Sequence, residues 1–177
     1  IRLNGSTVGC VANRSEVIGE DGKVAEKLDA VLTPNGCAKA AEFINFCDAF
    51  NIPVLSLTNV KGYVACTCAE KKIAKAVAKL TYAFANATVA KVNIIIGKAY
   101  GTAYVAMNSK AIGADITMAW PNAEIGTMDA KLAAKIMYEG QGADVIDEKA
   151  AEYAALQTSA LSAAKRGYVD QVVEAAD

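Results

Sequence analysis

The chain has 177 residues, 54% of them hydrophobic, with 18 Lys and Arg against 19 Asp and Glu for a formal net charge of −1. This is enough apolar material for one domain with a buried core, and it excludes a disordered chain. The balanced charge gives no electrostatic basis for holding nucleic acid or an anionic membrane surface, and no apolar run is long enough to insert into a membrane.

Arg2–Asn13 reads as a β-hairpin turning at Asn4-Gly5, with Thr7–Ala12 as its second strand. Arg14–Asn35 is polar and reads as a loop holding at most a short strand at Ala30–Leu32. Gly36–Phe50 has Ala40, Phe43, Ile44, Cys47 and Phe50 at helical spacing, and Asn51-Ile-Pro53 ends that helix. Val54–Thr58 is a strand, and Gly62 marks the turn after it. Glu70–Ala87 is a second amphipathic helix with Ile73, Val77, Leu80 and Phe84 in one stripe. Its Lys71-Lys72 would oppose the macrodipole unless Glu70 compensates or the helix starts earlier. Val92–Ile96 is a strand, Gly101–Asn108 a turn into a short helix, and Ile116–Ala119 a short strand ahead of Trp120-Pro121. Ala130–Tyr138 and Asp147–Lys165 read as helices, Gly167 as a terminator and Tyr168–Val173 as a closing strand.

Strand and helix alternate, so the fold class is α/β with a mostly parallel sheet. The loops at Gly62 and Gly101 should then share one sheet edge, the edge where open α/β folds bind ligands.

Five cysteines (Cys10, Cys37, Cys47, Cys66 and Cys68) are an odd number in a chain too large to need disulfide staples, which predicts a reduced, cytoplasmic protein. The start, Ile1-Arg-Leu-Asn-Gly5, has no apolar signal region. Histidine is absent. That removes Ser-His-Asp and Cys-His catalysis within the chain, and most zinc sites as well. Cys66-x-Cys68 offers only two metal ligands; two small residues in a loop is the plainer reading.

Four segments, in order, carry a resemblance. They are Ala40-Ala-Glu-Phe-Ile-Asn-Phe-Cys-Asp-Ala-Phe-Asn-Ile-Pro53, Lys98-Ala-Tyr-Gly-Thr-Ala-Tyr104, Gly113-Ala-Asp115 with Ala119-Trp-Pro-Asn-Ala-Glu-Ile125, and Ala163-Ala-Lys-Arg-Gly-Tyr-Val-Asp170. Together they resemble the carboxyltransferase component of biotin-dependent acyl-CoA carboxylases (the beta chain) and of sodium-pumping acyl-CoA decarboxylases (the alpha chain). Arg2-Leu-Asn-Gly5 resembles the opening of that family's second half.

The resemblance implies a crotonase-like fold of the Clp/crotonase superfamily, a ββα-type spiral. It also implies that residues 1–177 form the C-terminal, biotin-facing domain. The implied ligands are biotin, as carboxybiotin on a separate biotin carboxyl carrier protein, and an acyl-CoA substrate. The implied partners are an N-terminal carboxyltransferase half and further copies in an oligomer. That half would be a separate polypeptide or part of a longer chain, and the start without Met leans towards excision from a longer protein or a trimmed N-terminus.

Carboxyl transfer of this kind needs fixed N–H dipoles at developing oxyanions rather than a side-chain base, which suits a chain without histidine. By resemblance, the catalytic donors are the backbone N–H groups of Thr102 and Ala103, following Gly101. Thr102 stands where the family's Tyr-Gly-Gly-Ala-Tyr has its second glycine. A β-branched residue there would be strained if φ were positive, and its methyl would intrude on the pocket. The alternative is that Gly101-Thr-Ala103 is only a tight turn into a packed helix.

Gly62 and Tyr63 resemble the family's Val-Pro-Gly-Phe entrance loop. Here it reads Val60-Lys-Gly-Tyr63, then Val64-Ala-Cys66 where Leu-Pro-Gly is common. Val105 falls at a position that sets acyl selectivity in relatives. Glu124 is the best-placed acid for a base, with a structural role as its alternative. Lys39 and Lys98 read as solvated charges, and Trp120-Pro121 as a packing anchor. Two other functions remain open: a non-catalytic assembly subunit whose pocket has diverged, and another crotonase-like acyl-CoA enzyme.

Overall fold

A computed structural model describes residues 1–176. The chain runs β1 (Arg2–Leu3), β2 (Ser6–Thr7), β3 (Gly9–Ala12), β4 (Glu16–Ile18), β5 (Val24–Lys27), β6 (Val31–Leu32) and α1 (Pro34–Ala49). It continues through β7 (Val54–Val60), β8 (Gly62–Tyr63), α2 (Thr67–Glu70), α3 (Ile73–Asn86), β9 (Lys91–Tyr100) and α4 (Gly101–Ala106). It ends with β10 (Ile116–Ala119), β11 (Glu124–Gly126), α5 (Ala130–Met137), α6 (Ala143–Tyr153), α7 (Ala160–Lys165) and β12 (Gln171–Val172).

The main sheet has the order β12-β10-β9-β7-β3, parallel throughout, and β11 continues beside β9 beyond the end of β10. A second, smaller parallel ladder joins β6 to β8. Two successive units therefore run long strand, short strand, helix. Their long strands β3 and β7 pair in one sheet and their short strands β6 and β8 in another, which is the expected ββα spiral.

α1 begins where Thr33 accepts a hydrogen bond from the Gly36 N–H at 3.1 Å and Pro34 fits the first turn. Its buried stripe is Cys37, Ala41, Ile44 and Cys47. Phe43 and Phe50, expected in that stripe, are 39% and 65% exposed. The buried face is centred on smaller residues because α1 lies close to β3: a Cβ on Gly9 would come within 2.5 Å of Cys47 Sγ. α3 buries Ala76, Leu80, Ala83 and Phe84 against the same core. Full burial of a side chain such as Phe84 or Leu80 contributes about 1.5–3 kcal/mol.

Two charged groups close the ends of these helices. Buried Lys91 donates from Nζ to the carbonyls of Phe84 and Ala87 at 2.8 and 3.0 Å, closing the C-terminal turn of α3. The Asp48 carboxylate accepts from Thr88 N–H, Thr88 Oγ1 and Val89 N–H at 2.6, 3.0 and 3.2 Å, tying the end of α1 to the loop after α3. The Thr88 N–H, with the other donors, holds that carboxyl below its usual range.

α1, α3 and α4 cover one face of the sheet. That face carries a buried polar row: Ser56 on β7 lies beside Asn93 on β9, and Asn93 beside Thr117 on β10. Thr58 Oγ1 donates to Asn93 Oδ1 at 2.8 Å, and Asn108 Nδ2 to Ser56 Oγ at 2.9 Å. The opposite face (Cys10, Leu55, Leu57, Val92, Ile94, Ile96 and Met118) is only half-buried.

Several sequence expectations change. Thr7–Ala12 is not one strand: Ser6–Thr7 turns back onto β1, while Gly9–Ala12 joins β7 in parallel. Arg14–Asn35 holds the β4–β5 hairpin as well as β6, and Glu124–Gly126 is a strand not foreseen. Val92–Ile96 extends to Lys91–Tyr100. Glu70–Ala87 is two helices, so Lys71 closes α2 and only Lys72 stands at the start of α3. Asp147–Lys165 is broken by a π-helical turn at Ala154–Thr158 and by extended Ser159, which caps α7 by accepting from Ser162 N–H.

Candidate active site at the sheet edge

Because β7 and β9 are parallel, their C-terminal ends bring Gly62–Tyr63 and Tyr100–Gly101 to the same edge. β9 ends in extended Tyr100, and α4 starts at once with Gly101 at φ +58. A side chain at Gly101 would meet the Thr127 carbonyl oxygen at 3.1 Å. Glycine is therefore needed for its backbone angle and for the close approach.

The positive φ falls on Gly101 and not on Thr102. The non-glycine residues with positive φ, among those described, are Asn4, Asn51 and Asn108. The strain expected of a β-branched residue at Thr102 therefore does not arise.

The N–H groups of Gly101, Thr102 and Ala103 precede the first intrahelical hydrogen bond of α4 and stand at its positive end. Thr102 is exposed and Ala103 is 1% exposed. Tyr63 reaches across from β8, and its Oη donates to Thr102 Oγ1 at 3.1 Å. Its ring packs half-buried against the core, and β8 is fixed by pairing of Leu32 with Tyr63. Gly62, Tyr63, Gly101, Thr102 and Ala103, residues around this turn that sequence reasoning singled out, are thus brought together.

On the other side of α4 lies a cleft of about 280 Å³, lined by Gly101, Val105, Tyr153, Gln157, Arg166 and Tyr168 among others. Arg166 donates to Gln157 Oε1 at 2.6 Å and to the Leu156 carbonyl at 3.3 Å, bracing the π-helical turn that forms this wall. Tyr104 also lines it; burial pushes its hydroxyl up to about 12, so it stays protonated.

Tyr153 and Gln157 escape a reading of the sequence because they lie in what looks like one uninterrupted helix. Arg166 and Tyr168 belong to the Ala163–Asp170 segment, which gives them no role of their own.

Tyr100 Oη donates to Glu124 Oε2 across β9 and β11. Burial, then that hydrogen bond and the nearby negative charge of Glu124, hold the Tyr100 hydroxyl above its usual range. Glu124 thus has a structural partner. Lys98 lies 3.7 Å from Asp129 and 5.7 Å from the centre of the Tyr100 ring, and is half-buried. Cys66 and Cys68 are exposed, and among the described residues no three His, Cys, Asp or Glu side chains gather as metal ligands.

A ββα spiral with a strand-to-helix turn of this kind belongs to the crotonase-like class. The family model of the carboxyl transferase domain matches residues 1–177, and the chain belongs to that family. The putative propionyl-CoA carboxylase beta chain of Bacillus subtilis is 44% identical over 179 residues, covering 97% of this chain and 33% of that protein. The methylmalonyl-CoA carboxyltransferase 12S subunit of Propionibacterium freudenreichii is 40% identical over 183 residues, covering 99% and 33%.

Among solved structures, a transcarboxylase 12S hexamer with methylmalonyl-coenzyme A and methylmalonic acid bound superimposes with a TM-score of 0.86 at 40% identity, over 98% of this chain and 32% of that one. The beta subunit of P. aeruginosa geranyl-CoA carboxylase does so with a TM-score of 0.79 at 26% identity, again over 98% and 32%. The chain spans about a third of the length of the curated relatives it matches.

Proposed function

We propose that this chain is the C-terminal, biotin-facing half of an acyl-CoA carboxyltransferase, working in a carboxylase or a decarboxylase. The observation that carries the reading is the Gly101 turn. It leaves the N–H groups of exposed Thr102 and buried Ala103 without intrahelical partners at the sheet edge of a carboxyl transferase domain.

The residues present fit the ligand. Donors at a helix start suit an oxygen that gains negative charge, and Gly101 keeps the turn free of side-chain bulk. Carboxybiotin, when bound, supplies the carboxyl group that is transferred. The chain's own part is to hold the ureido oxygen on the N–H groups of Thr102 and Ala103. Loss of one such donor costs about 10²–10³ in kcat. Gly62 and Tyr63 flank Thr102 on one side of α4, where a biotin would enter, and Val105 gives an apolar wall to the cleft on the other side, where an acyl group would lie.

The half-buried apolar sheet face, together with exposed Leu132, Ile136, Met137, Leu156 and Leu161, supports association with an N-terminal half and with further copies. The carrier protein would deliver biotin from outside. Five unbridged cysteines fit a cytoplasmic setting, and no described helix is long and apolar enough to cross a membrane.

The Tyr63–Thr102 contact, made by two side chains that depart from the family pattern, supports the second reading, an assembly subunit whose pocket has diverged. One experiment separates the two. The chain is mixed with an N-terminal carboxyltransferase half and a biotinylated carrier, and acyl-CoA-dependent carboxyl exchange is measured. Exchange supports the enzyme reading. Its absence in an assembled complex supports the subunit.

A further inference from the structure

The contact between Tyr63 and Thr102 joins two hydroxyls that the Phe and Gly of the family pattern would not supply. Tyr63 does not depend on Thr102 for its position: its ring packs on the core and its strand is paired to β6. The hydroxyl is therefore fixed in advance, 3.1 Å from Thr102 Oγ1. That oxygen hangs from the residue whose N–H is the proposed donor. A ligand oxygen on the Thr102 N–H would sit beside Thr102 Cβ and its substituents, within the neighbourhood Tyr63 reaches. Thr102 is exposed, so a ligand can approach from solvent. A phenol proton offered a choice between a neutral hydroxyl and an oxygen gaining negative charge favours the second, because charge-assisted hydrogen bonds are roughly twice as strong.

We propose that Tyr63 Oη is a third donor to the oxygen held by the N–H groups of Thr102 and Ala103, and that Thr102 Oγ1 competes with that oxygen for its proton. This rests on the reading of Thr102 and Ala103 as the oxyanion site. It makes Tyr63 a specificity-determining side chain, selecting ligands that place a strong acceptor oxygen at the turn. It also gives the Thr102 substitution a consequence: the threonine hydroxyl weakens the third donor rather than filling the pocket.

The test is a titration of biotin followed on the backbone amide resonances of Thr102 and Ala103. It uses the wild-type chain, Tyr63→Phe and Thr102→Val. Both substitutions keep the size and packing of the side chain. Tyr63→Phe is expected to raise the Kd for biotin about fivefold, the loss of one net hydrogen bond. Thr102→Val is expected to lower it, by about twofold or more, because Tyr63 is no longer shared. Opposite signs support the proposal. If the two hydroxyls are only a structural tie, both variants shift the Kd in the same direction and lose thermal stability alike, and the third donor is overturned. A Tyr63→Phe variant that binds like wild type overturns it too, while leaving the Thr102 and Ala103 site in place. If the wild-type amides do not respond to biotin, the site itself is refuted and the third donor with it.

Discussion

Replacing Gly101 by alanine probes the turn on which the proposed chemistry rests. At φ +58 an L side chain carries an intrinsic penalty of about 1–2 kcal/mol. The new Cβ would also stand 3.1 Å from the Thr127 carbonyl oxygen, a backbone atom that cannot swing away as a side chain would. Together these predict a loss of about 2–3 kcal/mol. Gly140 supplies the internal control. It has φ +85, and a Cβ there would meet nothing within 4 Å, so Gly140→Ala should cost only the backbone penalty of about 1–2 kcal/mol. In a chain of this length 1 kcal/mol moves Tm by about 2–4 °C. Thermal unfolding should therefore fall by roughly 4–12 °C for Gly101→Ala and roughly 2–8 °C for Gly140→Ala, with the larger loss in Gly101→Ala. The Thr102 and Ala103 amide resonances should shift in the first variant and stay in the second. Equal Tm losses, or unmoved amides in Gly101→Ala, would refute the claim that the Thr127 contact shapes the turn.

Lys91→Met should lower stability by about 1.5–3 kcal/mol in urea unfolding, since a buried cation holding two helix-end carbonyls is replaced by an apolar chain. Asp48 makes stability depend on acid. Its folded pKa is depressed, so its contribution is complete above its ordinary pKa of 3.8 and is lost as pH falls through the lower folded value. Asp48→Asn should flatten the stability–pH curve below about pH 4, and an unchanged slope there would count against the Thr88 and Val89 contacts. With a thiol-specific disulfide reagent, exposed Cys66 and Cys68 should react in the native chain. Cys37, whose thiol burial pushes up to about 11, should react only after unfolding.

The elements that read clearly from sequence are those with one strong period. The Leu80 and Phe84 stripe, the apolar run of Val92–Ile96 and the Gly101 turn needed no tertiary information. The β4–β5 hairpin did: all of Val24–Lys27 is exposed, so no alternation between core and solvent marks it. β11 is three residues long and exists through its pairing with the end of β9. The break at Ser159 hides in an alanine-rich stretch whose composition suits helix on both sides, although Thr158-Ser159 is a pair of capping residue types. At the site, the residues before and after the turn were legible from motifs. The meeting of Tyr63 and Thr102 was not, because 39 residues separate them and only the parallel pairing of β7 with β9 brings their loops together.

The polar row through the sheet has a further consequence. Parallel strands whose buried positions are all aliphatic are almost as content two residues out of step, since the same faces stay inward and only packing detail distinguishes the alignments. Ser56, Thr58 and Asn93 remove that freedom. Sliding β9 by two residues toward the start of β7 would take the Asn93 carboxamide away from Thr58 and set it beside Val54, a buried amide facing a hydrocarbon. The sheet thus carries its own ruler. The edge that holds Gly62 and Gly101 at one level is set not by the loops themselves but by a few hydrogen bonds deep in the core, many residues back along the strands.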